Sequence, residues 1–379
     1  MAKKKRKTSP KKAGSKIGYA VVGQGYISQV AVLPAFANAT RNSRLVALIS
    51  DDPAKLEKLS RKYGIQHTYS YERYDECLNS GEVDAVYIAL PNHLHCDFAV
   101  RAAKAGVHVL CEKPMAVSVF ECKQMMAAAR ENSVKLMVAY RLHFEEANLK
   151  AVKIAQSGQL RELRIFNSLF TMQVEEGNIR LKKALGGGTL YDIGIYCINA
   201  ARYLFQDEPS RVFAVTESNG EKRFAEVEEM TSAMLVFPHN RLACFTCSFG
   251  AADISRYEIV GTKGSLQVDM AYEFSSGMRH TVTIGEKTKS RAFPKRDQFG
   301  PELLYFSDCI LQGKEPEPSG QEGMADVQII DALYRSAENG SPVNLSEFEE
   351  VARPSLKQEI KKPPIKEPTL IRAKAPSRH

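Results

Sequence analysis

Short apolar runs alternate with helical segments from Ile17 to about residue 140, and the first run ends in glycines. IGYAVVG leads into the helical stretch SQVAVLPAFANA, and RLVALIS into DPAKLEKLSRKYG, which Gly64 closes. YERYDECLNS reads as a short helix ahead of DAVYIAL, after which HCDFAVRAAKAG, VHVLCEKP, VFECKQMMAAARENS and KLMVAYR continue the series. Strands that are apolar at every position, rather than at alternate ones, are covered on both faces. Helices between them serve as crossovers, so the strands pair in parallel. The expected fold of residues 17–140 is α/β, a doubly wound parallel sheet of five strands.

Gly23-Gln24-Gly25-Tyr26-Ile27-Ser28 lies where the first strand turns into the first helix, with Ser28 in place of a third glycine. This is the strand–turn–helix context of a Rossmann dinucleotide site. Gly23 permits the tight turn. Gly25, with no Cβ, lets a pyrophosphate reach the N–H groups of the helix start, with Tyr26 and Ile27 in the same turn. The end of the second strand discriminates between dinucleotides. Ser50 stands where an NAD site usually carries an acid, and Lys55 follows, a pair suited to a 2′-phosphate. The adjacent Asp51 would suit a bare ribose, so NADP is expected and NAD stays as the alternative.

Beyond residue 140 the pattern changes. RELRIFNSLF, RVFAVTES, EMTSAMLVF, RLACFTCSFG, RYEIVGT, GSLQVDM and HTVTIGE are closely spaced strands separated by turn signals such as Ser218-Asn219-Gly220. They predict an α+β domain over 141–352 with a large, mostly antiparallel open sheet. Helices are expected in NLKAVKIAQSG, TLYDIGIYCINAARYLF, ELLYFSDCIL and MADVQIIDALYRSAEN. These would cover one sheet face only, leaving apolar residues, Phe245 or its alternating neighbours, in need of cover on the other. Residues 353–379 carry five prolines and read as an extended arm.

Charge divides along the same lines. Residues 1–16 hold eight basic side chains and no acid, and residues 353–379 hold eight and two. The body, 17–352, keeps 36 basic and 42 acidic residues, a net charge near −6. A nucleic-acid-binding domain needs a basic face on the body itself, and nothing in the sequence suggests one, so nucleic acid is not an expected partner. No apolar run approaches the ~18 to 20 residues of a membrane helix. The lysine-rich start does not lead into a signal-peptide core, so a cytoplasmic location is expected, with KKKRK leaving nuclear import as a lesser alternative. Eight scattered cysteines read as reduced, buried side chains. Cys244 and Cys247 lie three apart on a strand and so point to opposite faces. No His and carboxylate set has metal-ligand spacing, and no metal is expected.

Three further stretches carry chemistry. Ala89-Leu90-Pro91-Asn92-His93-Leu94-His95 and Cys111-Glu112-Lys113-Pro114 end two strands at the carboxyl edge where such sheets bind ligands. Gly186-Gly187-Gly188-Thr189-Leu190-Tyr191-Asp192 enters a helix on which Asp192 and Tyr196, four apart, share a face. In GQGYIS, ALPNHLH, CEKP, AYRLHFEEAN and GGGTLYDIGIYCINAARYLF the chain resembles the glucose–fructose oxidoreductase/inositol dehydrogenase/rhizopine-catabolism (Gfo/Idh/MocA) family over about 17–350. Tyr196, where most relatives carry histidine, and the Ser50/Lys55 pair are most similar to the glucose–fructose oxidoreductase branch.

The resemblance implies an NADP-dependent oxidoreductase acting on a sugar or related polyol, in that branch with a tightly held cofactor. It implies that Lys113 polarises the substrate oxygen, Tyr196 exchanges its proton, and Asp192 orients the sugar. Glu112 and Pro114 would shape the turn presenting Lys113. Leu90, Pro91, Asn92, His95 and Arg141 would line the cofactor, and Arg180 would border the substrate. The chain has no tryptophan, and Ile179 precedes Arg180 where close relatives often place an aromatic. Glu146 also replaces a common proline, so the sugar stays open, with inositol, a trans-dihydrodiol or an anhydro sugar as alternatives. The rival class is a non-catalytic dinucleotide sensor; such regulators typically lose the lysine that is present here as Lys113. The resemblance also implies a homodimer or homotetramer through the C-terminal sheet, with the proline-rich arm across a neighbour.

Overall fold

A computed structural model describes residues 15–349 and 351–377, so KKKRK lies outside the described residues. The chain forms two units that are not contiguous in sequence. The first holds the chain up to Arg141, then Asp297–Met324 and Lys362–Ala375; the second holds Leu142–Arg296, Ala325–Lys361 and the residues from Pro376.

In the first unit β1 (Ile17–Val22), β2 (Ser43–Ile49), β3 (His67–Tyr69), β4 (Ala85–Ile88), β5 (His108–Glu112) and β6 (Leu136–Ala139) form one sheet in the order β3-β2-β1-β4-β5-β6. Every neighbouring pair is parallel. All residues of β1 and β4 are buried, as their unbroken apolar character requires. The strand order reverses between β1 and β4, and ligands of such sheets bind outside the carboxyl ends at that switch point. The sheet has one strand more than the expected five. β3 is a three-residue edge strand with no buried residue, so it has no apolar signature.

Around this sheet lie α1 (Leu33–Ala35), α2 (Pro53–Tyr63), α3 (Tyr74–Asn79), α4 (His95–Lys104) and α5 (Val119–Glu131). The first helical segment opens as a π-type turn, Ser28–Val32, and passes into α1 rather than forming one regular helix. Asp52 caps α2 by accepting from the N–H groups of Ala54 and Lys55, and Ser118 caps α5 in the same way.

The second unit contains α6 (Glu146–Gln156), α7 (Ile195–Phe205) and a nine-stranded sheet: β7 (Leu163–Gln173), β8 (Arg211–Glu217), β9 (Met230–Phe237), β10 (Arg241–Ser248), β11 (Gly250–Gly261), β12 (Gly264–Asp269), β13 (Arg279–Ile284), β14 (Lys287–Ala292) and β15 (Val343–Asn344). Its order is β14-β13-β12-β11-β7-β10-β9-β8-β15, antiparallel except where β7 and β10 pair in parallel. β14 and β15 were not expected. β14, KTKSRA, is exposed at every position and owes its place to hydrogen bonding with β13.

One face of this sheet meets α7, through the Ser168 Oγ contact with Cys197 Sγ at 3.3 Å. Phe245 is on the buried side, 3% exposed, so of the two alternatives along this strand its alternating neighbours face outward. The open face instead shows Leu242 and its cross-strand neighbour Ile165, each 42% exposed, with Met234 and Val215 on β9 and β8.

α8 (Phe299–Gln312) returns to the first unit, where Ser307 Oγ shares 2.8 Å hydrogen bonds with Tyr19 and Ser43. α9 (Gly320–Asn339) follows, and its Asp326 joins Arg202 in the second unit. From Arg353 onward the arm is extended but for one turn at Leu356–Gln358. Lys362–Ala375 lie against the chain's own first unit, Asn38 Nδ2 donating to the Pro363 carbonyl at 3.0 Å.

Candidate active site

The phosphate-type turn at the end of β1 is built as its glycines require. Gly23 has φ of +91°, and a Cβ there would lie 2.4 Å from the Ala89 carbonyl oxygen, so only glycine fits. A Cβ on Gly25 would meet no atom of the protein within 4 Å. Packing therefore does not demand the second glycine, and the space beside it suits a close ligand. Ser28 is fully buried and donates to the Gly23 carbonyl at 2.6 Å, holding the turn in place of a third glycine. Tyr26 and Ile27 are half-buried beside Gly25.

At the end of β2, Ser50 is buried and its Oγ accepts from the Asp52 N–H at 3.2 Å. The Asp51 carboxylate accepts from the Tyr71 N–H at 2.7 Å. Asp52 Oδ1 is the α2 cap, and Lys55 stands half-buried in that first turn. The strand end thus presents a hydroxyl and a lysine, with both aspartates already bonded to backbone N–H groups.

β4 and β5 present their loops at the same edge of the same sheet. After Leu90, Pro91 starts a single 3-10 turn, Asn92–Leu94, that leads into α4 at His95. His95 is fully buried, Nδ1 2.8 Å from the Pro114 carbonyl and Nε2 3.0 Å from that of Leu90. Burial lowers its pKa, while the two carbonyls facing its ring nitrogens pull in the opposite direction. It ties the end of β4 to the turn that carries Lys113, whose peptide bond to Pro114 is cis.

Glu112 closes β5. Its carboxylate accepts from Tyr87 Oη at 2.8 Å and from the Lys113 N–H at 3.3 Å. Burial raises its pKa, against the opposing pull of Lys113, Tyr87 and Arg141. Arg141 is buried; its guanidinium donates to Gln298 Oε1 and lies 6.0 Å from the Phe299 ring centre. Glu302, on α8, is also fully buried, and burial followed by the charge of Glu112 holds it well above the usual carboxylate range. Gln298 and Glu302 were missed by sequence reasoning. Glu302 left a signal, an acid at the start of the apolar ELLYFSDCIL.

The second unit carries a different cluster. A Cβ on Gly187 would lie 2.3 Å from the Arg180 carbonyl oxygen, and the Gly188 N–H donates to that oxygen at 3.0 Å. The glycine loop therefore folds directly onto the Arg180 backbone. Arg180 Nε then reaches Asp192 Oδ2 at 2.6 Å, a pair that is mostly shielded at both ends. Asp192 belongs to the π-type turn Leu190–Gly194 that opens α7, and it shares with Tyr196 the half-buried side of a helix otherwise buried. The Tyr196 ring packs 5.7 Å from Phe170 and 5.8 Å from Tyr272, centre to centre. Ile179 is 48% exposed beside Arg180.

Within the first unit the structure brings together Leu90, Pro114, His95, Glu112 and Arg141 around the Lys113 turn, and Ser50 with Asp52 at the start of α2. Within the second it joins Arg180 to Asp192. Among the described residues no group of three His, Cys, Asp or Glu side chains is arranged to hold a metal ion. All eight cysteines are free thiols.

Residues 17–140 match a family model described as "Oxidoreductase family, NAD-binding Rossmann fold", and residues 148–267 match "GFO/IDH/MocA C-terminal domain". An uncharacterised oxidoreductase of Rhizobium meliloti is 31% identical over 86% of this chain and 98% of its own. A D-xylose 1-dehydrogenase [NADP(+)] of Haloarcula marismortui is 29% identical over 87% of this chain and 93% of its own. Among solved structures, the aldose-aldose oxidoreductase of Caulobacter crescentus, complexed with glycerol, superposes with a TM-score of 0.83 at 39% identity, over 87% of this chain and 100% of its own.

Proposed function

The chain belongs to the Gfo/Idh/MocA oxidoreductase family, and from that premise we propose that it is a cytoplasmic NADP-dependent sugar oxidoreductase, moving hydride between a sugar carbon and the nicotinamide. The observation that carries this reading is the position of Lys113. It leaves the carboxyl end of β5, one strand from the β1/β4 switch point, on a turn tied by His95 to the end of β4. A lysine on that turn is at the strand edge where such sheets bind their ligands.

Gly23, Gly25, Tyr26 and Ile27 would hold the pyrophosphate, and the open space over Gly25 fits that group. Ser50 and Lys55 would hold the 2′-phosphate, supported by the engagement of Asp51 with the Tyr71 N–H. Leu90, Pro91, Asn92 and Arg141 would line the nicotinamide half, with Glu112 and His95 acting through the backbone they fix. Bound NADP supplies the two-electron acceptor. Lys113 donates a hydrogen bond to the sugar oxygen and stabilises negative charge as it develops there. Tyr196 takes up or returns the hydroxyl proton, and the Arg180–Asp192 pair holds neighbouring hydroxyls.

The xylose dehydrogenase and aldose-aldose relatives support an aldose as substrate. One retained cofactor could then oxidise one aldose and reduce another. Mass spectrometry of cofactor released from purified protein, with absorbance at nicotinamide wavelengths as aldoses are added, tests the reading. NADP and a reversible spectral change are expected; no cofactor binding and no change with any aldose would reject it.

The open face of the second sheet is proposed as a contact between copies, supported by Leu242 and Ile165 lying side by side and exposed. Leu242→Glu is expected to turn a dimer or tetramer into a monomer in light scattering. A wild-type monomer at micromolar concentration would refute the contact.

A further inference from the structure

The C-terminal arm runs past the dinucleotide edge of its own first unit. Gln29, four residues after Gly25 and 2% exposed, spends its whole side-chain amide on this contact and the glycine turn. Its Nε2 donates to the Ile371 and Gln24 carbonyls, both at 2.9 Å, and its Oε1 accepts from the Ile371 N–H at 2.7 Å. A buried amide with its donors and acceptor satisfied fixes the chain segment it binds. The next residue, Arg372, has φ of +49° and turns its guanidinium to Asp52, Nη1 to Oδ1 3.0 Å. Lys62 Nζ, on α2, meets the Thr369 carbonyl at 3.5 Å. The arm thus spans from the glycine turn to the start of α2, the two places that hold the adenosine half of a dinucleotide.

We propose that Arg372 is a cofactor-specificity residue, its guanidinium joining Ser50 and Lys55 around the 2′-phosphate while Gln29 clamps the arm over the bound cofactor. The proposal rests on the NADP reading above. Three features carry it. The Arg372–Asp52 pair is 64% exposed on the arginine side, and such pairs contribute only about 0 to 1 kcal/mol, so Arg372 leaves Asp52 at little cost. A phosphate with two charges accepts a paired, planar set of N–H bonds from an arginine, a stronger match than one carboxylate oxygen shared with the α2 cap. Finally, the buried Gln29 contact fixes the backbone next to Arg372 and so holds the arginine at the start of α2.

Calorimetric titration of full-length protein, stripped of cofactor, with NADPH, NADH, 2′,5′-ADP and 5′-AMP tests this without relying on turnover. Arg372→Ala is expected to weaken NADPH and 2′,5′-ADP by about tenfold or more and NADH and 5′-AMP by less than about twofold, with Arg372→Lys recovering part of the loss. Gln29→Leu is expected to weaken the same two ligands by releasing the arm, and to speed NADPH dissociation in stopped flow. If wild type prefers NADPH and Arg372→Ala binds all four ligands as wild type does, the arm proposal is overturned and the cofactor reading stands. If wild type binds NADH more tightly than NADPH, the NADP reading itself falls, and the proposal with it. Unchanged melting temperature and circular dichroism in Arg372→Ala tie the loss to the guanidinium.

Discussion

The two polar clusters hold charge in opposite ways. In the first unit, the half-buried Glu112 and the fully buried Glu302 are acids whose pKa values burial raises, around a turn bearing Lys113. In the second unit two arginines are held in ion pairs: the half-buried Arg180 with Asp192, and the buried Arg202 with both Glu208 and Asp326 at 2.6 and 2.7 Å. A self-neutralised cluster can hold a neutral polyol through directed hydrogen bonds with little sensitivity to pH. In a cluster of hard-to-ionise acids, Lys113 and Arg141 supply the positive charge, and the proposal gives Lys113 the developing alkoxide. The contrast supports the proposal that the second unit binds the sugar while the first stabilises developing charge.

Lys113→Met puts the largest strain on that assignment. Turnover should fall by on the order of 10³-fold, while NADPH binding and the fold persist. Initial rates on the best aldose, beside a calorimetric NADPH titration, check it. Wild-type rates would move the chemistry elsewhere. Next in size is Asp326→Ala. It leaves Arg202, whose side chain is 0% exposed, buried with one partner fewer, and loss of a buried partner costs about 3 to 5 kcal/mol. Urea unfolding should show this loss, and Arg202→Met with Asp326→Leu in the same chain should recover most of it. If the single variant matches wild type, charge pairing does not hold the second unit together.

Much of this was legible before any coordinates. β1, β4, β5 and β6 are read from their unbroken apolar runs, and the turn at Gly23 from a conformation that glycine alone adopts easily. What stayed hidden lacks an apolar period. β3, β14 and β15 are edge strands defined by hydrogen bonding alone, and β14 has no buried residue. The arm's anchor joins a backbone amide to a side chain 342 residues away, which no local pattern encodes. Alternation along β10 shows which residues share a face but not which face is covered, so Phe245 and its alternating neighbours stay equivalent in the sequence. Asp192 and Tyr196 were found by spacing, yet the partner of Asp192 needed coordinates, since Arg180 approaches it only because glycines let the loop fold back.

Glu302 gives the smallest expected effect and separates the two clusters most cleanly. Neither carboxyl oxygen has a hydrogen-bond partner among the described residues, and the nearby Tyr87 hydroxyl is committed to Glu112. An unfolded glutamate titrates near about 4.3, whereas burial and the charge of Glu112 raise Glu302 well above that in the native state. The native protein therefore binds more protons than the unfolded chain once pH passes the unfolded value. Stability contributed by this group is full below that point and is lost progressively as pH rises toward the native pKa. Glu302→Gln keeps the shape and removes the titration. Its melting temperature should match wild type near pH 4 and exceed it increasingly up to pH 8, by a few degrees. Asp192→Asn, in the paired cluster, should show no such growing advantage. A gap between Glu302→Gln and wild type that stays constant with pH would mean the acid is solvated, and the first cluster would then be no harder to charge than the second.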